Sequence, residues 1–201
     1  MLAGVHDFGA FVVASVLLIL SPGPGTLAIL GAAAGSRRSG FAALAGTSLG
    51  DATLMAVAAI GAATLLSAYP LAFELLRYGG GAYLVWLGLQ SLLSRTPGFA
   101  LSVPDGSGAF RRSLWVTLLN PKAIVFFMAF FPQFVSREAH PAAFVLLGVT
   151  FISLNCLWQA GLIVGANRIA SHLDAMPRFA LWVNRLLGLV FILFGVKLAL
   201  G

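Results

Sequence analysis

Long apolar runs and short turn-forming stretches alternate along almost the whole chain. Six runs reach about 20 residues, the length an α-helix needs to cross a hydrocarbon core roughly 30 Å thick. They lie at about 8–33, 40–67, 71–94, 112–134, 141–167 and 178–200, which leaves almost nothing for a soluble domain. The pattern predicts an all-α integral membrane protein of six transmembrane helices, one domain over residues 1–201.

Two of the runs are interrupted where lipid tolerates it least. Ser21, Pro22, Gly23, Pro24 and Gly25 stand inside the first, and Asn120, Pro121 and Lys122 inside the fourth. A proline has no N–H and clashes with the preceding turn, and the carbonyls it frees find no partner in hydrocarbon. Such breaks, and a charge beside them, persist where they line a cavity or pack against protein. Helices one and four are therefore expected to be broken, each second half aiming its positive end at an anion such as a carboxylate. A bare kink is the plainer reading. Matched breaks in the two halves of a chain point to the binding site of a secondary transporter.

Other traces of duplication accompany the breaks. Leu20-Ser21-Pro22 matches Leu119-Asn120-Pro121, Gly81 and Gly88 recur as Gly188 and Gly195, and Asp51 in the second run falls near Asn155 in the fifth. Three helices per unit is an odd number, so the twin units would insert upside down as an inverted repeat. The first would cover about 1–95 and the second about 112–201, joined by a turn-rich linker at about 95–111. Gly46 with Gly50 and Gly161 with Gly165 are GxxxG pairs expected to bring helices close.

Helix rise sets the depth of the polar positions. At ~1.5 Å per residue, Asp51 lies ~18 Å in from Arg37 and Arg38, and Lys122 ~15 Å in from Arg111 and Arg112. Both fall near the midplane, level with the Pro22–Gly25 break and with Asn155. Asp51 reads as a proton-coupling carboxylate or as a structural partner of Lys122. Lys122 in turn could hold a substrate carboxylate and leave Asp51 for an amine. Ser21 and Asn120 offer neutral hydrogen bonds, and Phe126, Phe127, Phe130 and Phe131 read as lipid-facing or packing residues rather than a substrate cage.

Composition fits the same picture. The chain is 60% hydrophobic and 9% charged, against about 25% charged in soluble proteins. A net charge of +6 does not point to nucleic acid, because the basic residues neither cluster nor interleave with aromatics. They mark topology: Arg37, Arg38, Arg95, Arg111, Arg112, Arg168 and Arg178 fall on one face of a six-span chain, and Arg137 and Lys197 on the other. The positive-inside bias then places both termini outside the cytoplasm. His6 and Asp7 stand where a signal peptide would be basic, so the first run is expected to remain as a helix. The single Cys156 permits no disulfide within the chain and reads as a small buried residue. No metal or nucleotide motif is present, so neither a cofactor nor catalysis is expected. A membrane enzyme and an accessory membrane subunit are the rival classes. The first would need a nucleophile and base, and the second leaves two breaks at one depth unexplained.

With these residues in view, the chain resembles the LysE/RhtB family of amino-acid exporters over essentially its whole length. The resemblance rests on Ser21 to Pro24, on Gly46 with Gly50-Asp51, and on Asn120-Pro121-Lys122-Ala123 followed by Phe126-Phe127 and Phe131-Pro132-Gln133-Phe134. It continues through Arg185-Leu186-Leu187-Gly188 to Gly195-Val196-Lys197. It implies a multi-pass carrier of the bacterial inner membrane that expels amino acids or close derivatives, driven by the proton or ion gradient. The expected partners are the amino-acid substrate and the lipid bilayer, and six short helices leave a body small enough to form a homodimer. Members commonly carry Asn after Pro-Gly-Pro, where this chain has Gly25.

Overall fold

The computed structural model describes residues 4–21, 23–68, 70–93, 108–135, 142–173 and 177–200. Among them every regular element is helical, apart from an isolated antiparallel bridge between Val5 and Val135. The order is α1 (Phe8–Leu20), α2 (Pro24–Gly35), α3 (Arg37–Ala68), α4 (Pro70–Leu93), α5 (Ala109–Leu118), α6 (Pro121–Val125), α7 (Ala142–Leu173) and α8 (Pro177–Leu200). Between α6 and α7 the backbone passes through a π-helical turn at Phe126–Phe130 and a 3-10 turn at Phe131–Phe134.

The first and fourth apolar runs are indeed broken. α1 and α2 meet at 51°, and α5 meets the Pro121–Phe134 stretch at 52°. Pro22 itself and the 95–107 part of the expected linker lie outside the described residues. Pro24 and Pro121 each stand at the first positions of the half-helix after the break, where a missing N–H costs nothing and the fixed φ suits the helix. The 32-residue α3 and α7 both contain stretches long and apolar enough to span a bilayer, and the two bent pairs bring the candidate spans to as many as 4 among the described residues. α4 and α8, of 24 residues each, coincide with the expected third and sixth runs and measure about 36 Å at ~1.5 Å per residue.

Glycines set the closest approaches. A Cβ on Gly81 would lie 2.7 Å from the Gly195 carbonyl oxygen, and one on Gly88 2.5 Å from that of Gly188. α4 and α8 therefore cross backbone to backbone along four glycines. On α3, Gly46 abuts the Phe110 carbonyl, and a Cβ on Gly50 would come within 2.8 Å of Thr117 Cβ, which seats α5 against α3. At Gly161 of the other expected GxxxG pair the reading is corrected: this glycine is exposed with nothing within 4 Å of a Cβ, so it makes no close helix approach among the described residues.

The main core is aromatic. Phe11 packs edge-on to Phe131 and Phe134, and Phe127 edge-on to Phe131 and Phe151. Phe126 and Phe131 are thus packing residues and not lipid-facing, whereas Phe127, equally buried, also lines the cavity described below. Large apolar side chains such as Ile60, Leu119 and Leu157 are more than two-thirds exposed, an outer surface suited to hydrocarbon rather than water.

Candidate functional site

Lys122 ties the two breaks together. Leu18 O would accept from the N–H four residues on, but that residue is proline, so its carbonyl is left over at the end of α1. Lys122 Nζ takes it at 3.3 Å and takes Ser21 O at 2.9 Å. The ammonium also lies 5.2 Å from the centroid of the Phe191 ring. A cation at a helix C-terminus is favoured by the helix dipole, so this contact stabilises the frayed end of α1. Asn120 organises the other break, its side chain accepting the Lys122 backbone N–H at 3.1 Å as an N-cap.

Asp51 is held elsewhere. Asn155 Nδ2 donates to Asp51 Oδ2 at 3.0 Å, with both residues 5% exposed. The expectation of a structural pair between Asp51 and Lys122 is corrected, since no ion pair joins them and each has other partners. The reason is the freed carbonyls at the first break, which claim the ammonium first.

These groups surround one cavity of about 70 Å³. Ser21, Gly23 and Gly25 line it from the first break, Asn120 and Lys122 from the second, and Asp51 and Asn155 from α3 and α7. Pro24 and Pro121 are exposed and stay outside the lining, so they shape the backbone without facing the cavity. Leu18, Ile19, Ala123, Phe127 and Phe151 supply an apolar wall.

Four polar lining residues escaped the sequence reading: Thr26, Thr47, Thr117 and Gln159. Thr47 and Gln159 had a findable signal. They stand one turn from Asp51 and Asn155 along α3 and α7, where residues four apart share a helix face. Gln159 Nε2 donates to Thr26 Oγ1 at 3.0 Å, whereas Gln159 Oε1, Thr47 Oγ1 and Thr117 Oγ1 are buried without a partner. Buried polar atoms of this kind call for a ligand or water. Among the described residues no group of three His, Cys, Asp or Glu side chains could hold a metal.

Comparison with known proteins agrees with a membrane protein. The chain is 36% identical to a leucine efflux protein of Klebsiella pneumoniae over 98% of its length and 96% of that protein's. It is 34% identical to a leucine efflux protein of an Enterobacter species over the same shares of the two chains. It is also 38% identical to an uncharacterised membrane protein of Pseudomonas aeruginosa, again over 98% and 96%. No solved structure matches it. The family model described as LysE type translocator covers residues 16–201, both breaks and all the cavity-lining residues among them. The chain belongs to the LysE type translocator family.

Proposed function

We propose that this protein is a secondary active exporter of amino acids with an apolar side chain, leucine being the test case. The observation that carries this is the single cavity in which the Asp51 carboxylate, the ends of two broken helices and an apolar wall meet. A zwitterion needs charged and dipolar partners there, and an aliphatic side chain needs the face formed by Leu18, Ile19, Phe127 and Phe151. The relatives named leucine efflux protein support that choice.

A cavity of about 70 Å³ is small beside the roughly 300–1,000 Å³ of ordinary ligand pockets. Substrate entry then requires the lining helices to part, as alternating access does. An inverted repeat would supply the motion, and several features support one. The two bends are 51° and 52°, α3 and α7 both have 32 residues, and α4 and α8 both have 24. Gly81 meets Gly195 and Gly88 meets Gly188 in reciprocal contacts. The protein would sit in the bacterial inner membrane with the Arg-rich turns in the cytoplasm and both termini outside. Asp51, the one carboxylate lining the cavity, would take the coupling proton.

Counterflow tests the reading. Proteoliposomes loaded with unlabelled leucine should accumulate external labelled leucine transiently, and a pH gradient should drive net movement. No counterflow with leucine or any other apolar amino acid would overturn it.

A further inference from the structure

Two buried threonines break a habit that others in this chain keep. Thr53 and Thr150 donate their hydroxyl protons to the carbonyls one turn earlier, Leu49 O and Leu146 O, both at 2.8 Å, a common resting place for a helical threonine. Thr47 and Thr117 are 5% and 2% exposed, and their hydroxyls have no partner. Both line the cavity, and they flank Gly25: a Cβ there would stand 3.9 Å from Thr117 Oγ1 and 3.9 Å from Thr47 Cγ2. A methyl would sit there in ordinary van der Waals contact with both threonines.

α2 begins at this spot, and no side chain among the described residues caps it. Its N-cap is Gly23, which has no side chain to offer, and Pro24 follows without an N–H. Gly25 and Thr26 are then the residues whose N–H groups precede the first bond of the helix, from Leu27 N–H to Gly23 O. No hydrogen bond among the described residues occupies Gly25 N–H. The other half-helix differs, because Asn120 caps α6. Thr26 Oγ1 accepts from Gln159, which leaves its proton free to donate. Backbone amides at a positive helix end, joined by hydroxyl donors, form a seat for a carboxylate. Two side-chain acceptors also line the cavity: Asp51 and the unpartnered Gln159 Oε1. Lys122 is already held by two carbonyls.

We propose that the N-terminus of α2, together with the Thr47 and Thr117 hydroxyls, seats the carboxylate of the transported amino acid, while Asp51 and Gln159 Oε1 receive its ammonium group. Gly25 is bare so that the anion can reach the amides. Lys122 serves as the tie between the breaks and not as the carboxylate's counter-ion. The assignment rests on the export reading above.

Thermal-shift titration of the full-length protein in detergent tests it with three probes: leucine, 4-methylpentanoate, which keeps the carboxylate and lacks the amine, and leucinol, which keeps the amine and lacks the carboxylate. Wild type should respond to the first two at concentrations at least tenfold below leucinol. The Thr47→Val/Thr117→Val variant should lose at least tenfold in apparent affinity for both carboxylates and little for leucinol. Its unliganded melting temperature should be unchanged or higher, since valine keeps the shape and removes buried unpartnered hydroxyls; a structural role would lower it. Gly25→Ala should weaken the carboxylates likewise, Thr53→Val should change nothing, and Lys122→Met should keep the preference for leucine over leucinol. Wild-type affinity for 4-methylpentanoate in the double threonine variant would overturn the proposal. So would loss of the carboxylate preference in Lys122→Met alone, or a wild type that binds neither carboxylate. Threonine-dependent binding of 4-methylpentanoate without leucine counterflow would uphold the carboxylate seat and remove the export reading.

Discussion

Replacing Lys122 with methionine keeps the length and much of the shape of the side chain but cuts the tie between the two breaks. Two charge-assisted hydrogen bonds are lost, at 2.9 Å to Ser21 O and 3.3 Å to Leu18 O, each worth about 1.5–3 kcal/mol. Against this, the variant no longer holds an ammonium within the bilayer, which relieves about 2.5–3.5 kcal/mol. The net cost is therefore roughly 0–3 kcal/mol, so the variant should remain folded. Its signature is coupling to Pro22. Changing Pro22 to alanine supplies an N–H that Leu18 O can accept, so Lys122→Met should cost about 1 kcal/mol less in that background. Equilibrium unfolding in mixed micelles titrated with SDS, followed by tryptophan fluorescence, measures all four corners of the cycle. Equal costs in the two backgrounds, within about 0.5 kcal/mol, would refute the view that Lys122 serves the carbonyl freed by proline.

Three further outcomes are expected. Asp51→Asn should abolish gradient-driven leucine transport while leaving leucine exchange measurable in proteoliposomes at raised leucine concentration, because exchange needs no net proton movement and the amide oxygen can still accept from the substrate's ammonium; driven transport at the wild-type rate would exclude Asp51 as the proton carrier. Gly88→Ala places a methyl 2.5 Å from the Gly188 carbonyl oxygen and should destabilise by about 1–3 kcal/mol, whereas Gly161→Ala, with nothing within 4 Å, should be neutral or stabilising by up to about 1 kcal/mol; SDS unfolding ranks the two. Reporter fusions at Gly40 and Gly106 should register in the cytoplasm and one at His140 outside, and a cytoplasmic signal at His140 would break the six-span topology.

The helices were legible because hydrocarbon imposes a length and a composition on every span, so runs of apolar residues mark them within a few positions. The breaks were legible for a covalent reason: proline lacks an N–H wherever it sits. The proximity of Asp51 and Asn155 followed from matching the halves. What the sequence hid was competition among partners. Lys122 and Asp51 look like a pair on charge alone, yet the carbonyls at the end of α1 outbid the carboxylate through geometry. The unspent hydroxyls of Thr47 and Thr117 were hidden for another reason, although the place of Thr47 one turn from Asp51 was legible. A threonine in an apolar helix satisfies its own hydroxyl on the preceding turn, as Thr53 and Thr150 do, and only the packed structure separates those from the two that do not. Gly161 shows the reverse error, a glycine of a packing motif that meets no helix among the described residues.

The tie between the breaks also sets an order of events during synthesis. Ser21 and the lysine that accommodates its carbonyl are 101 residues apart. At about 5–20 residues per second, the ribosome takes roughly 5–20 s to travel from one to the other. Throughout that interval the first helix lacks the Lys122 ammonium that meets its Leu18 and Ser21 carbonyls in the folded protein. It must keep them wet, at the insertion machinery or the bilayer edge, until the fourth segment arrives. Ribosome pausing between the codons for Ser21 and Lys122 should then lengthen the time the first segment stays beside the translocon, and truncations ending before Lys122 should be cleared by membrane proteases faster than those ending after it.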